Sequence, residues 1–324
     1  MVLRCPTTIL KYWVTAGSAV SNESYSKPTL LPKEEQQVIR TKILTTIVIL
    51  GLFIIGLPGC SPAQLTLDSN QSKVQVFVSL LPQAYFVEKV GGEHVQVSIL
   101  IPPGADPHTY EPTPQQMKML AEADLYLKIG TIEFEELWME RLADVNPDML
   151  VVDTSQSIEL IDDDPHIWLS PARVKVQAQN ILAALSQVDA QHQEDYQQNL
   201  EAFQAEMDQL DREISQQLKD VKHREFLVFH PAWRYFCEDY GLKEIPIERD
   251  GKEPTAQEMA QLIKQAKEKG IRVVLASPQH STHEAEAIAG DLQGKVITID
   301  PLARDYGANL RQVALELAAV LAAD

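Results

Sequence analysis

Positive charge is scarce in this chain of 324 residues: 28 lysines and arginines stand against 46 aspartates and glutamates, giving a formal charge of -18. A chain this acidic repels phosphate and shows no basic stripe, which excludes a nucleic-acid partner. The same charge raises the local concentration of cations. Cysteine is scarce as well, with only Cys5, Cys60 and Cys237 in the whole sequence. No P-loop is present, so any nucleotide-driven step belongs to another protein. A His-Glu-x-x-His pair, the mark of many zinc proteases, is missing too. Nor is there a low-complexity tract, or any repeat beyond an alternation of strand and helix patterns.

One long apolar run occurs, Ile43 to Leu57, preceded by Arg40 and Lys42 and closed by Pro58-Gly59-Cys60. Positive flank, apolar stretch and small residues make a secretory signal. The run is short for a span of about 20 residues, which sets it against an uncleaved signal-anchor helix. Leu57-Pro58-Gly59-Cys60 resembles the lipobox of bacterial lipoproteins, and the resemblance implies that Cys60 is acylated and becomes the mature N-terminus. Residues 1–37 are mixed, polar and too long for the basic flank of a signal, whereas a start at Val38 gives one of ordinary length. The expected order is therefore a leader over 1–60 and a polar tether over 61–72. With Cys5 lost and Cys60 lipidated, Cys237 is the remaining thiol and no internal disulfide can form. Its aromatic-rich helical surroundings read as those of a buried, inert thiol.

Beyond the tether the pattern switches repeatedly between periods of two and of three to four. Val74, Val76 and Val78 alternate as a strand, a helix follows over 83–90, and a second strand covers 95–101. Thr113-Pro114 opens the next helix, strands follow over 124–129 and 149–152, and a helix over 134–142 separates them. Helices are expected over 171–188 and 193–221. The second carries Tyr196, Leu200, Phe203, Met207, Leu210, Ile214 and Leu218 as one apolar stripe without glycine or proline. A further α/β set covers strands 226–229, 273–276 and 296–299 and helices 232–240 and 255–269. Length and alternation predict two parallel-sheet α/β lobes, over 73–190 and 223–324, linked by one stiff helix within 191–222. Two lobes joined in that way hinge little.

Three histidines share one setting, a turn bearing proline after an apolar or extended run. They are His108 in Gly104-Ala105-Asp106-Pro107-His108, His166 in Asp164-Pro165-His166-Ile167-Trp168, and His230 in Phe229-His230-Pro231-Ala232-Trp233. Proline restricts the backbone on both sides of the turn and so holds the side chain at little entropic cost. Three neutral imidazoles are a ligand set suited to zinc, with a fourth position left for a carboxylate or water. In open parallel sheets ligands gather at the carboxyl ends of strands, where His108 falls. Asp300, directly after a strand in Ile299-Asp300-Pro301, is the candidate fourth ligand, or else it caps the following turn. Glu111 is a candidate to orient His108 from behind, with a purely structural hydrogen bond as the alternative. Asp162-Asp163-Asp164 reads as a solvated acidic turn, with guidance of cations inward as the alternative. His280 and His283 read as solvated residues at a helix start, with metal chemistry on a loop as the alternative, and His94, His192 and His223 lie in polar surroundings and carry no functional claim.

The stretches Gly104 to Pro112, Asp164 to Pro171, Phe229 to Phe236 and Asp300 to Leu302 together resemble the zinc/manganese solute-binding proteins of bacterial ABC transporters, over the chain from about Lys73 onward. The resemblance implies a bilobal fold with the ion between the lobes and His108, His166 and His230 as ligands. It also implies a monomeric, lipid-anchored receptor, periplasmic or cell-surface, that delivers its ion to a cognate permease. Manganese-type members usually carry glutamate at the third position, so His230 favours Zn²⁺ over Mn²⁺, in line with ligand softness. Two features depart from many members: no long His-rich loop precedes His166, and Ser277 stands where a glutamate often precedes the Pro-Gln pair. A surface zinc hydrolase and an adhesin with a structural metal are the competing readings, since three histidines plus water also form a catalytic set.

Overall fold

The computed structural model describes residues 72–322, apart from 131, 249–251, 253 and 280–281, together with Pro32. The signal run, Cys60 and most of the tether lie outside the described residues.

The first lobe is a four-stranded parallel sheet of β1 (Val74–Val78), β2 (Val95–Ile99), β3 (Leu125–Lys128) and β4 (Leu150–Asp153) in the order β2-β1-β3-β4. Its helices are α1 (Leu81–Gly91), α2 (Pro114–Leu120), α3 (Glu133–Val145) and α4 (Pro171–Val188). Strand propensity comes from the run of valines in Val74–Val78, and β1 is buried along most of its length because helices cover both faces. Thr113 starts α2 as a capping box: its hydroxyl accepts from the Gln116 amide, and the Gln116 side chain accepts from Thr113 N.

A 26-residue helix, α5 (Gln193–Leu218), then crosses the molecule. Its buried side chains are Tyr196, Leu200, Phe203, Met207, Leu210, Ile214 and Leu218, the seven that the spacing singled out. Each contributes about 2 kcal/mol by leaving water. The second lobe repeats the topology of the first: β5 (Glu225–Val228), β6 (Lys243–Pro246), β7 (Val273–Ala276) and β8 (Lys295–Thr298) are all parallel, in the order β6-β5-β7-β8. Helices α6 (Arg234–Tyr240), α7 (Ala256–Glu268) and α8 (Thr282–Asp291) connect its strands.

Strand β6 and a last helix, α9 (Tyr306–Leu321), were not anticipated, and α8 only as a helix start near His283. Tyr306 on α9 packs edge-on against Phe86 of α1 at 5.0 Å between ring centres, and Arg311 on α9 pairs with Glu213 of α5 at 2.6 Å. The last helix thus returns to the first lobe, and a single hydrophobic core runs from Val76 and Phe86 through Phe203 and Leu210 to Phe226, Leu275 and Leu310. Among the described residues the second lobe also keeps a separate core, around Leu227, Ile247, Ile271 and Ile288. Cys237 is buried in the shared core, and burial pushes its thiol pKa up, as expected for an inert cysteine. Among the described residues no helix is long and apolar enough to cross a membrane.

Candidate metal centre

Identical strand orders put both carboxyl edges to the same use. His108 follows β2, the loop opening α3 follows β3, His166 follows β4, His230 follows β5, Glu248 follows β6, Gln279 follows β7 and Asp300 follows β8. Residues from six of these loops line one cavity of about 50 Å³, among them Asp106, His108, Glu133, His166, His230 and Gln279. Leu80, Ile132, Trp168 and Leu302 supply its apolar wall. That volume holds an ion and a few waters, since one water needs roughly 10–15 Å³ by this measure.

The structure brings the three histidine rings together. His230 lies centrally, its ring centre 5.3 Å from that of His108 and 5.4 Å from that of His166. Nitrogen binds zinc at about 2.0–2.1 Å, which places each ring centre roughly 3.2 Å from the ion and two tetrahedrally arranged rings about 5.2 Å apart. The observed separations match that spacing. As the side chains stand, no group of three or more His, Cys, Asp or Glu among the described residues is closed into a cage for an ion. Closing one requires the rings to turn. The His108 side chain, 44% exposed against 12% for His166 and 14% for His230, has the room to do so.

Each ring has a carboxylate behind it. His108 Nδ1 stands 3.0 Å from Glu133 Oε2, His166 Nδ1 2.7 Å from Asp164 Oδ1, and His230 Nδ1 3.3 Å from Glu248 Oε1. An ionised carboxylate can only accept, so Nδ1 carries the hydrogen in all three rings and the Nε2 lone pair is left for a metal. Two sequence expectations are corrected here. The partner of His108 is Glu133, 25 residues away, and not Glu111, which is exposed and pairs with none of the three rings. Asp164 is no solvated residue: its side chain is 11% exposed, and Oδ1 also accepts from the His166 amide at 2.9 Å. Asp162 is exposed as expected and pairs with Arg234 of the second lobe.

The loop that carries Glu133 is fixed from beneath by a buried acid. Glu135 accepts from Ile129 N at 2.8 Å and Gly130 N at 2.9 Å, and its other neighbour is the Ser79 hydroxyl, which itself lies 2.8 Å from Tyr126 Oη. Burial pushes the Glu135 carboxyl up to about 7, against the pull of those donors. Gly130, at φ 124°, takes a conformation that suits glycine, and a Cβ there would come within 2.5 Å of Ser155 Oγ.

Asp300 follows β8 and is not among the residues that line the cavity, although Pro301 and Leu302 beside it are. Asp300 Oδ1 accepts from Gln279 Nε2 at 2.7 Å and from Leu302 N at 2.9 Å, the second bond being that of a turn cap. Trp168, two residues after His166, donates Nε1–H to the Pro301 carbonyl at 2.8 Å and joins the His166 turn to the Asp300 turn.

The family model for the periplasmic component A of zinc-uptake complexes, ZnuA, matches residues 76–320. The chain belongs to the ZnuA family. A crystal structure of ZnuA aligns with a TM-score of 0.74 at 45% identity, covering 76% of this chain and 99% of that one. The high-affinity zinc uptake system protein ZnuA of Bacillus subtilis is 27% identical over 282 residues, 78% of this chain and 88% of the relative. The laminin-binding protein of Streptococcus agalactiae, described as bifunctional with adhesin and metal transporting activity, aligns with a TM-score of 0.71 at 27% identity, over 77% of this chain and 99% of its own. These are bilobal α/β folds of the kind seen here, and the family is one of extracytoplasmic solute-binding proteins that serve ABC importers.

Proposed function

We propose that this ZnuA-family protein captures Zn²⁺ through Nε2 of His108, His166 and His230, with Asp300 at the fourth position, and hands the ion to an ABC permease. The observation that supports this most is the convergence of three imidazoles from remote strand ends, at spacings of 5.3 and 5.4 Å, each with a carboxylate on Nδ1. The carboxylates make the ligands more basic and fix their tautomer, as around bound zinc generally. A third imidazole in place of a carboxylate suits Zn²⁺ better than Mn²⁺. Acylation at Cys60 would hold the receptor at the outer membrane-water boundary, and the 61–72 tether would give it reach. Protons compete for Nε2, so affinity falls with pH.

The test is metal analysis of protein purified without added metal, followed by competition between Zn²⁺ and Mn²⁺. Zinc should win, and His166→Ala should weaken it by orders of magnitude while the circular dichroism spectrum is kept. An unchanged zinc titration in His166→Ala refutes the ligand assignment.

A further inference from the structure

Gln279 lines the cavity from the loop after β7, three residues past the strand's end. Its two amide atoms have different fates. Nε2 donates to Asp300 Oδ1 at 2.7 Å, while Oε1 is buried and carries no hydrogen bond. The amide cannot be turned round, because a carboxylate offers no hydrogen and only the NH₂ end can face it. A buried acceptor without a donor costs free energy, so its presence on the wall of the cavity that gathers the three histidines calls for a physical explanation.

We infer that Gln279 is a positioning residue for the ion's fourth coordination position: Nε2 fixes the Asp300 carboxylate, and Oε1 accepts a hydrogen bond from a water carried in on the ion. This rests on the zinc-capture reading above. Asp300 Oδ1 already takes two hydrogen bonds, from Gln279 and Leu302, which leaves Oδ2 as the oxygen for a metal. Gln279 and the three histidines line the same cavity, so an ion held by the rings arrives beside the amide. A hydrated cation then brings the missing donor, since water bound to Zn²⁺ is a stronger hydrogen-bond donor than bulk water. An acceptor with no partner within the protein gains a stronger donor when the hydrated ion arrives, and that gain adds to affinity. Zn²⁺ accepts such a ligand shell readily, because it can pass from four to five ligands.

The experiment uses Gln279→Leu in the full chain, with zinc affinity from chelator competition, the visible spectrum of the Co²⁺ form, and thermal unfolding in chelator. An apolar side chain of similar size leaves no orphan behind. The metal-free unfolding midpoint should therefore stay within a few degrees of wild type. Zinc should bind about tenfold more weakly, the scale of one lost hydrogen bond to a charged centre, and the Co²⁺ bands should change in intensity as the water is lost. Gln279→Asn, which keeps the amide but pulls it back, carries the same expectations and serves if the leucine variant does not fold. Wild-type affinity and an unaltered Co²⁺ spectrum in either folded variant overturn the inference while leaving zinc capture in place. Failure of the wild type to bind zinc removes both.

Discussion

Tyr235 of α6 gives its hydroxyl hydrogen to the carbonyl of Asp164 at 2.6 Å, and the same oxygen accepts from Ile161 N at 3.1 Å. One side chain of the second lobe thereby grips both ends of the turn that holds His166. Arg173 of the first lobe stacks on the Tyr235 ring, 4.4 Å from its centre, and pairs with Asp239 at 3.0 Å. Removing the hydroxyl in Tyr235→Phe leaves the packing but frees two backbone groups. Stability should fall by about 1–2 kcal/mol, and zinc affinity several-fold, read by denaturant unfolding and chelator competition. Unaltered affinity would mean that the turn holds its shape without the grip.

The three carboxylates behind the histidines should not count equally. Asp164 and Glu248 have side chains 11% exposed, while Glu133 is 55% exposed. Asp164→Asn and Glu248→Gln should each weaken zinc binding by about 10–100-fold. Glu133→Gln should cost clearly less, because water can replace it. Isothermal titration of the three variants ranks them, and an equal loss in all three would contradict the burial argument.

Glu244 at the start of β6 titrates differently folded and unfolded. Burial pushes its carboxyl up from 4.5 to about 7, opposed by the hydrogen bond from Trp233 N. Between those two values the folded protein holds a proton that the unfolded chain has released. Its contribution to stability therefore declines as pH rises through that window and stays low above it. Glu244→Gln keeps the acceptor for Trp233 and has nothing to titrate. Relative to wild type the variant should gain about 3 kcal/mol between pH 4.5 and pH 8, measured by urea unfolding of the chelator-treated protein. A constant difference across that range would remove Glu244 as the source.

Phe203 of α5 meets Phe86 and Tyr85 of α1 at 6.0 Å between ring centres and is 1% exposed. Phe203→Ala should cost about 3–5 kcal/mol and, because the core is continuous, unfold both lobes in one transition. Leu137 on α3 is 61% exposed, and Leu137→Ala should change stability by no more than about 0.5 kcal/mol. Two resolved calorimetric transitions in Phe203→Ala would show the lobes to be independent.

The bilobal plan and the three histidines were legible because each rests on a local signal: valine alternation in β1, the unbroken stripe of α5, a proline beside each ligand candidate. Partners of those histidines were not, since Glu133 and Glu248 reach them from other βα units and no spacing rule joins residues 25 and 18 positions apart. Glu111 looked suitable only through nearness in sequence. Strand β6 went unread because Lys-Glu-Ile-Pro has no apolar alternation; pairing with β5 imposes its conformation. Helix α9 did carry a signal, with Leu310, Val313, Leu317 and Leu321 on one face after the Asp305 cap, and the same periodicity test would have found it. The orphaned oxygen of Gln279 has no sequence signature at all.

The core that passes unbroken from one sheet to the other, closed by α9 lying back on α1 and α5, leaves the two halves little to pivot on. If that limits closure about cargo, the empty and loaded protein differ chiefly at the rim, where the half-exposed His108 ring and the Glu133 behind it have room to shift.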